Sequence, residues 1–78
     1  MKEITFYTKP DCPLCEKAQV VVESIKSIMP FELRILDITE DQSLFDRFCF
    51  DIPVVEIDGE IAFRGHVPSD QFLEALKS

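Results

Sequence analysis

Apolar and polar positions alternate at the start of the chain. In KEITFYT, Ile4 and Phe6 are interleaved with Thr5 and Tyr7, all strand formers, and the run predicts a β-strand. KPDCP follows as a loop, and the period then changes. From Pro13 to Met29 the apolar residues are Leu14, Ala18, Val21, Val22, Ile25, Ile28 and Met29, at spacings of three and four, which predicts one face of a helix. Pro13 suits the first turn, where its missing N–H has no partner to lose, and Pro30 ends the helix. FELRILDI predicts a second strand. Thr39 and Gln42 form a T-x-x-Q capping box that starts a short helix through Leu44, Phe45 and Phe48. PVVEI predicts a third strand, and Asp58-Gly59 is a two-residue hairpin signal leading into a fourth, EIAFR, which Gly65 breaks. PSDQFLEALKS closes the chain as a helix with Phe72, Leu73 and Leu76 inward.

The order is therefore βαβαββα. Crossover helices imply parallel pairing in the first half, and the hairpin makes the last pair antiparallel. A four-stranded mixed sheet flanked by three helices follows, an α/β domain with the thioredoxin arrangement. No repeat, low-complexity tract or linker divides residues 1–78, so one domain is expected.

Composition narrows the function. The net charge is −7, from fifteen acids against eight bases, which argues against nucleic-acid and anionic-membrane partners and reads as solubility. No apolar run reaches the length of a membrane span, and the N-terminus lacks the apolar stretch of a signal peptide. A cytoplasmic monomer is expected. Three cysteines cannot all pair within one chain, which favours redox or metal chemistry over a disulfide scaffold.

The cysteines of interest lie in TKPDCPLC. Cys12 falls at or just before the helix N-cap and Cys15 one turn in, on the same face, so their sulfurs can meet. Unpaired N–H groups and the positive end of the helix favour a thiolate at Cys12; Lys9 adds a cation, and Asp11 works the other way. Cys12 would attack a substrate disulfide, and Cys15, deeper in the helix, would resolve the mixed disulfide. Pro13 between them stiffens the turn.

At these residues the chain resembles the glutaredoxin-like branch of the thioredoxin superfamily. FYTKPDCPLC is similar to the family's stretch of strand, Tyr, Lys, Pro and Cys-Pro-x-Cys. DIPVVEIDGEIAFRG resembles its second signature: a residue before proline, a strand, an Asp-Gly turn, a strand and a glycine. The resemblance implies a dithiol oxidoreductase with Cys12 as nucleophile and Cys15 as resolving thiol. It implies no bound cofactor or metal and glutathione as reductant. Pro53 matches the cis-proline beside the dithiol, and Ile52 before it would offer backbone N–H and C=O to an extended substrate. Lys9 matches a lysine that holds a carboxylate. The family's Gly-Gly step is replaced by Gly65-His66, with Val67 and Pro68 lengthening the turn before Ser69 and Asp70, the residues expected to substitute at the helix start. This departure implies a weakened glutathione site. Redoxins reduced by thioredoxin reductase, a flavoprotein, that serve ribonucleotide reductase share the overall pattern and form the alternative subtype.

The other candidates have plainer readings. Cys49 reads as a buried small hydrophobe, with a regulatory thiol as the alternative. Phe50 reads as core or groove wall, Tyr7 as packing or groove lining, His66 as a loop residue at the site mouth, and Asp51 as solvated or charge-selecting. The alternative of a different class is a metal module: a Cys₃His zinc site from Cys12, Cys15, Cys49 and His66, or an iron–sulfur cluster shared between two copies.

Overall fold

The computed structural model describes every residue, Met1–Ser78. In chain order the elements are β1 (Glu3–Thr8), α1 (Pro13–Lys26), β2 (Glu32–Asp37), a 3₁₀ turn (Ile38–Glu40), α2 (Gln42–Phe48), β3 (Val54–Ile57), β4 (Glu60–Arg64) and α3 (Ser69–Lys77). The sheet order is β2-β1-β3-β4. β1 pairs in parallel with β2, across the α1 crossover, and antiparallel with β3. β3 and β4 form the hairpin, whose central residues Asp58 and Gly59 both have positive φ, 51° and 87°, as a type I′ turn requires. The Asp58 carboxylate also accepts the Glu3 N–H at 2.9 Å, tying the turn to the start of β1.

Pairing sorts the side chains onto two faces. Phe6 opposes Val55, and both belong to a buried cluster with Ala18, Val22 and Ile25 of α1 and Phe72 and Leu76 of α3. Tyr7 opposes Val54, and both belong to a cluster on the other face with Cys12, Cys15, Ile38, Phe48 and Ile52. The register of the hairpin shifts between Val55 and Glu56, so that Glu56 opposes Ile61 while Val55 opposes Phe63. That irregularity puts Phe63 on the α1–α3 face, edge-on to Phe72 at 6.0 Å between centroids, and sets Arg64 opposite Val54.

Several expectations are corrected. The capping box does not form: Thr39 donates its N–H and hydroxyl to Asp37 Oδ1, at 2.8 and 2.6 Å, inside the 3₁₀ turn. Asp41 caps α2 instead, accepting from the N–H groups of Ser43 and Leu44 at 2.9 and 3.3 Å. A carboxylate beside free helix N–H groups makes a charge-assisted bond that a hydroxyl cannot match. α1 ends at Lys26, and the N–H groups of Ile28 and Met29 both turn back to the Ile25 carbonyl, leaving Ile28 72% exposed. Leu14 is 54% exposed because Cys15, about 100° around the helix, takes the inward position. Phe50 is not a core residue but an exposed side chain, because its turn buries Phe48 and Ile52 on either side of it.

Candidate active site

The site is assembled where β1 hands over to α1. Asp11 takes a left-handed conformation, φ 57°, and Cys12 is extended at the N-cap. This turn lets Cys12 close both ends of the first helical turn. Its carbonyl accepts the Glu16 N–H at 3.0 Å, and its Sγ accepts the Cys15 N–H at 3.2 Å. Cys12 and Cys15 are joined as a disulfide, with their Cα atoms 5.2 Å apart. Cys12 is 8% exposed and Cys15 only 1%, so the pair has an outer and an inner sulfur, in the order expected.

The wall behind the pair is aromatic. The Tyr7 ring lies 4.6 Å from that of Phe48, and the Arg47 guanidinium sits 4.5 Å over the other aromatic partner, Phe48. The Tyr7 hydroxyl donates to Glu56 Oε1 at 2.9 Å. Burial, and then the hydrogen bond to Glu56, raise the Tyr7 phenol above its ordinary range, so it stays protonated and structural.

The turn between α2 and β3 forms the side wall. The Ile52–Pro53 bond is cis, and Pro53 and Ile52 are buried, Ile52 in the same cluster as both cysteines. The Phe48 carbonyl accepts the N–H groups of Asp51 and Ile52, at 2.8 and 3.2 Å. Ile52 therefore does not present the free N–H and C=O pair expected of it: its N–H is already used inside the chain. Gly65 donates to the Pro53 carbonyl at 2.7 Å, and Arg64 pairs with Asp51 at 3.0 Å, fastening the turn to the end of β4.

The other expected binding residues lie at the surface. A small cleft of about 80 Å³ runs between α1 and the segment after β4, lined by Leu14, Lys17, Ala18, Val21, Gly65, His66 and Val67. Lys9, Ser69 and Asp70 are exposed and do not line it. Pro68 holds the α3 N-cap without a side-chain bond, and the Asp70 carboxylate accepts the N–H of Gln71 at 2.9 Å. Wider clefts, about 400–440 Å³, lie at the far end of β1, against Lys2 and Asp58, away from the sulfurs. Cys49 is a free, half-buried thiol packed on the cluster that holds the disulfide, not the fully buried residue expected. No group of three or more His, Cys, Asp and Glu side chains converges, so Cys49 and His66 do not complete a metal set with Cys12 and Cys15.

The sequence reading missed Asp41, Glu56 and the Asp51–Arg64 pair. The cap had a signal, an Asp two residues before Ser43; the ion pair becomes visible only once the shifted hairpin register sets Arg64 near the turn.

With this geometry in view, the relatives can be placed. The Glutaredoxin-like domain family (DUF836) matches residues 3–77. The chain belongs to that family. It is 30% identical over 81 residues to the Glutaredoxin-like protein YDR286C homolog of Dictyostelium discoideum, spanning 96% of this chain and 75% of that one. It is also 30% identical over 78 residues to a protein named thioredoxin from Methanocaldococcus jannaschii, spanning 96% of this chain and 92% of that one. A mutant thioredoxin of Halobacterium salinarum superposes with a TM-score of 0.77 at 18% identity, covering 97% of this chain and 72% of that chain. The fold is thioredoxin-like, and this glutaredoxin-like chain is a redox protein with a vicinal cysteine pair. None of its helices is long and apolar enough to cross a membrane.

Proposed function

We propose that this glutaredoxin-like protein is a dithiol thiol–disulfide oxidoreductase acting on protein disulfides and glutathione mixed disulfides. The observation that carries this reading is the asymmetric pair at the start of α1, an outer Cys12 whose sulfur caps the helix and an inner Cys15 at 1% exposure. In the reduced protein the Cys15 N–H and the helix N-terminus favour negative charge on Cys12 Sγ. That thiolate attacks one sulfur of the substrate disulfide; a Cys12–substrate bond forms and the other substrate sulfur leaves as a thiolate. Cys15, deprotonated, then attacks Cys12 Sγ, closes the Cys12–Cys15 bond and expels the second substrate thiolate. Two electrons pass to the substrate, and protons from Cys15 and solvent complete its two thiols. Two glutathione molecules, or the dithiol of a flavoprotein reductase, restore the starting state. The reducing cytoplasm is the compartment in which such a cycle runs forward.

Three features favour a weak glutathione preference and a reductase as the better donor. His66 stands where the family has a second glycine. The Ile52 N–H is already engaged. The cleft at Gly65–Val67, about 80 Å³, is far below the roughly 300–1,000 Å³ of small-molecule sites. Turnover of insulin with NADPH and either thioredoxin reductase or glutathione plus glutathione reductase separates the donors, and faster turnover with the first is expected. Cys15→Ser should stall as a mixed disulfide with the substrate, detectable by mass. Faster alkylation of Cys15 than of Cys12 in the reduced protein at neutral pH would reverse the assigned roles.

A further inference from the structure

We propose that Arg64 is a positioning residue for the inner sulfur: through its ion pair with Asp51 it holds the turn between α2 and β3 against the cysteine pair while Cys15 closes the disulfide. This rests on the oxidoreductase reading above. The turn, residues 49–53, carries Ile52 and Pro53, both buried, and Ile52 belongs to one cluster with Cys12 and Cys15. Backbone bonds tie the turn at both ends, whatever its side chains are. The Cys49 N–H reaches the Phe45 carbonyl, the Asp51 and Ile52 N–H groups reach the Phe48 carbonyl, and the Gly65 N–H reaches the Pro53 carbonyl at 2.7 Å. The one side-chain hydrogen bond that the turn makes runs from Arg64 Nη1 to Asp51 Oδ2, at 3.0 Å.

The hairpin puts Arg64 where it can do this. Continued from the Ile57–Glu60 pair without the shift, the ladder would set Arg64 opposite Pro53 and turn its side chain to the α1–α3 face. The shift sets it opposite Val54 instead, on the face of the cysteine cluster. The step that depends on the turn is the second exchange. In it Cys15 Sγ attacks Cys12 Sγ, the Cys12–Cys15 bond forms, and the substrate thiolate leaves with the electron pair of the bond that breaks. Both reacting sulfurs belong to this chain, so the rate follows from how well the fold keeps them in line, and small displacements cost rate. Cys15 is 1% exposed in a cluster that Ile52 helps to close, so the turn that carries Ile52 is part of what keeps the inner sulfur in place. The Arg64 and Asp51 side chains are 53% and 37% exposed, so their attraction is modest and salt weakens it.

The test is the reaction of the pre-reduced full chain with bis(2-hydroxyethyl) disulfide, at concentrations where attack outruns closure, quenched with acid and read by mass. This substrate is small and neutral, so the readout does not depend on a substrate side chain touching the turn. Loss of the reduced chain gives the attack rate, and decay of the mixed disulfide gives the closure rate. For Arg64→Ala closure should slow about threefold, the scale of an exposed ion pair, with attack unchanged. Combining Asp51→Arg with Arg64→Asp rebuilds the pair with its charges exchanged and should recover closure. High salt should slow wild-type closure towards the Arg64→Ala value and leave Arg64→Ala itself unmoved. Lys2→Ala breaks another surface pair, Lys2–Asp58 at 3.6 Å near the far end of β1, and should leave closure unchanged. Closure that is unchanged in Arg64→Ala, equally slowed in Lys2→Ala, or not recovered by the exchanged pair overturns the role of Arg64 and leaves the oxidoreductase reading intact. A wild-type chain that forms neither the mixed nor the internal disulfide overturns that reading and this proposal with it.

Discussion

The first turns of α1 and α2 are built alike and put to different ends. Each helix opens on an extended N-cap residue whose side chain accepts N–H bonds from the turn that follows. At α2 the acceptor is the Asp41 carboxylate, fully in water, which binds the Ser43 hydroxyl as well as two N–H groups. At α1 the acceptor is the Cys12 sulfur, nearly enclosed and taking a single N–H at 3.2 Å. The carboxylate saturates its donors and does nothing more. The sulfur leaves the helix end less fully satisfied, and on the proposed reading a thiolate there is the nucleophile. On that reading the same backbone geometry serves stability in one place and chemistry in the other, and the acceptor atom decides which.

Exchanging the acceptors separates the two roles. The largest effect should come from Cys12→Ser, which keeps a good cap and removes the nucleophile: disulfide reduction should fall on the order of 10³-fold or more. The stability of the reduced protein, read from urea unfolding, should change by less than about 0.5 kcal/mol, since serine caps well. Asp41→Ala should show the reverse pattern, a lower urea midpoint with the rate of disulfide exchange unchanged. A fall in exchange rate for Asp41→Ala would mean that α2 is coupled to the chemistry and that the two helix starts are not independent. The smallest effect concerns pH. The Ser43 hydroxyl, and then the Leu44 N–H, hold the Asp41 carboxyl below its ordinary range. Above that range both folded and unfolded states are ionised and the contribution is complete. As pH falls, the unfolded chain takes up its proton first, and the contribution is gone once pH has passed below the folded-state value. The gap in urea midpoint between wild type and Asp41→Ala should therefore be full at pH 7 and narrow as the solution is acidified through pH 4 towards 3.

Much of this architecture was legible in the sequence, because each change of period coincides with a change of element. The alternation at Ile4 and Phe6, the three–four spacing after Pro13 and the Asp58-Gly59 turn each correspond to an element that forms. The cysteine pair was equally legible, since a strand, two prolines and a helix start leave Cys12 little choice of position. What was not legible depends on competition between neighbours. Thr39 and Asp41 are both plausible caps for one short helix, and only the Asp37 carboxylate, which captures Thr39, settles between them. Phe50 is apolar, and apolar character predicts burial. Its exposure follows from a turn in which one carbonyl accepts two N–H groups, a detail that no periodicity encodes. The Arg64–Asp51 pair likewise depends on the register shift in β3–β4, which moves every residue beyond it by one position.

The cap on α1 has a consequence for the electrochemistry of the protein. The atom that stabilises the helix is also the atom that changes oxidation state, so folding and reduction are two sides of one thermodynamic cycle. Whatever stabilises the reduced fold over the oxidised fold, relative to the unfolded chain, makes the protein a stronger oxidant by the same free energy, about 30 mV for each 1.4 kcal/mol. The N–H of Cys15 that reaches Cys12 Sγ lies on that cycle. A substitution in the first turn of α1 is therefore never a change of stability alone: if it acts unequally on the two redox states, it moves the midpoint potential as well.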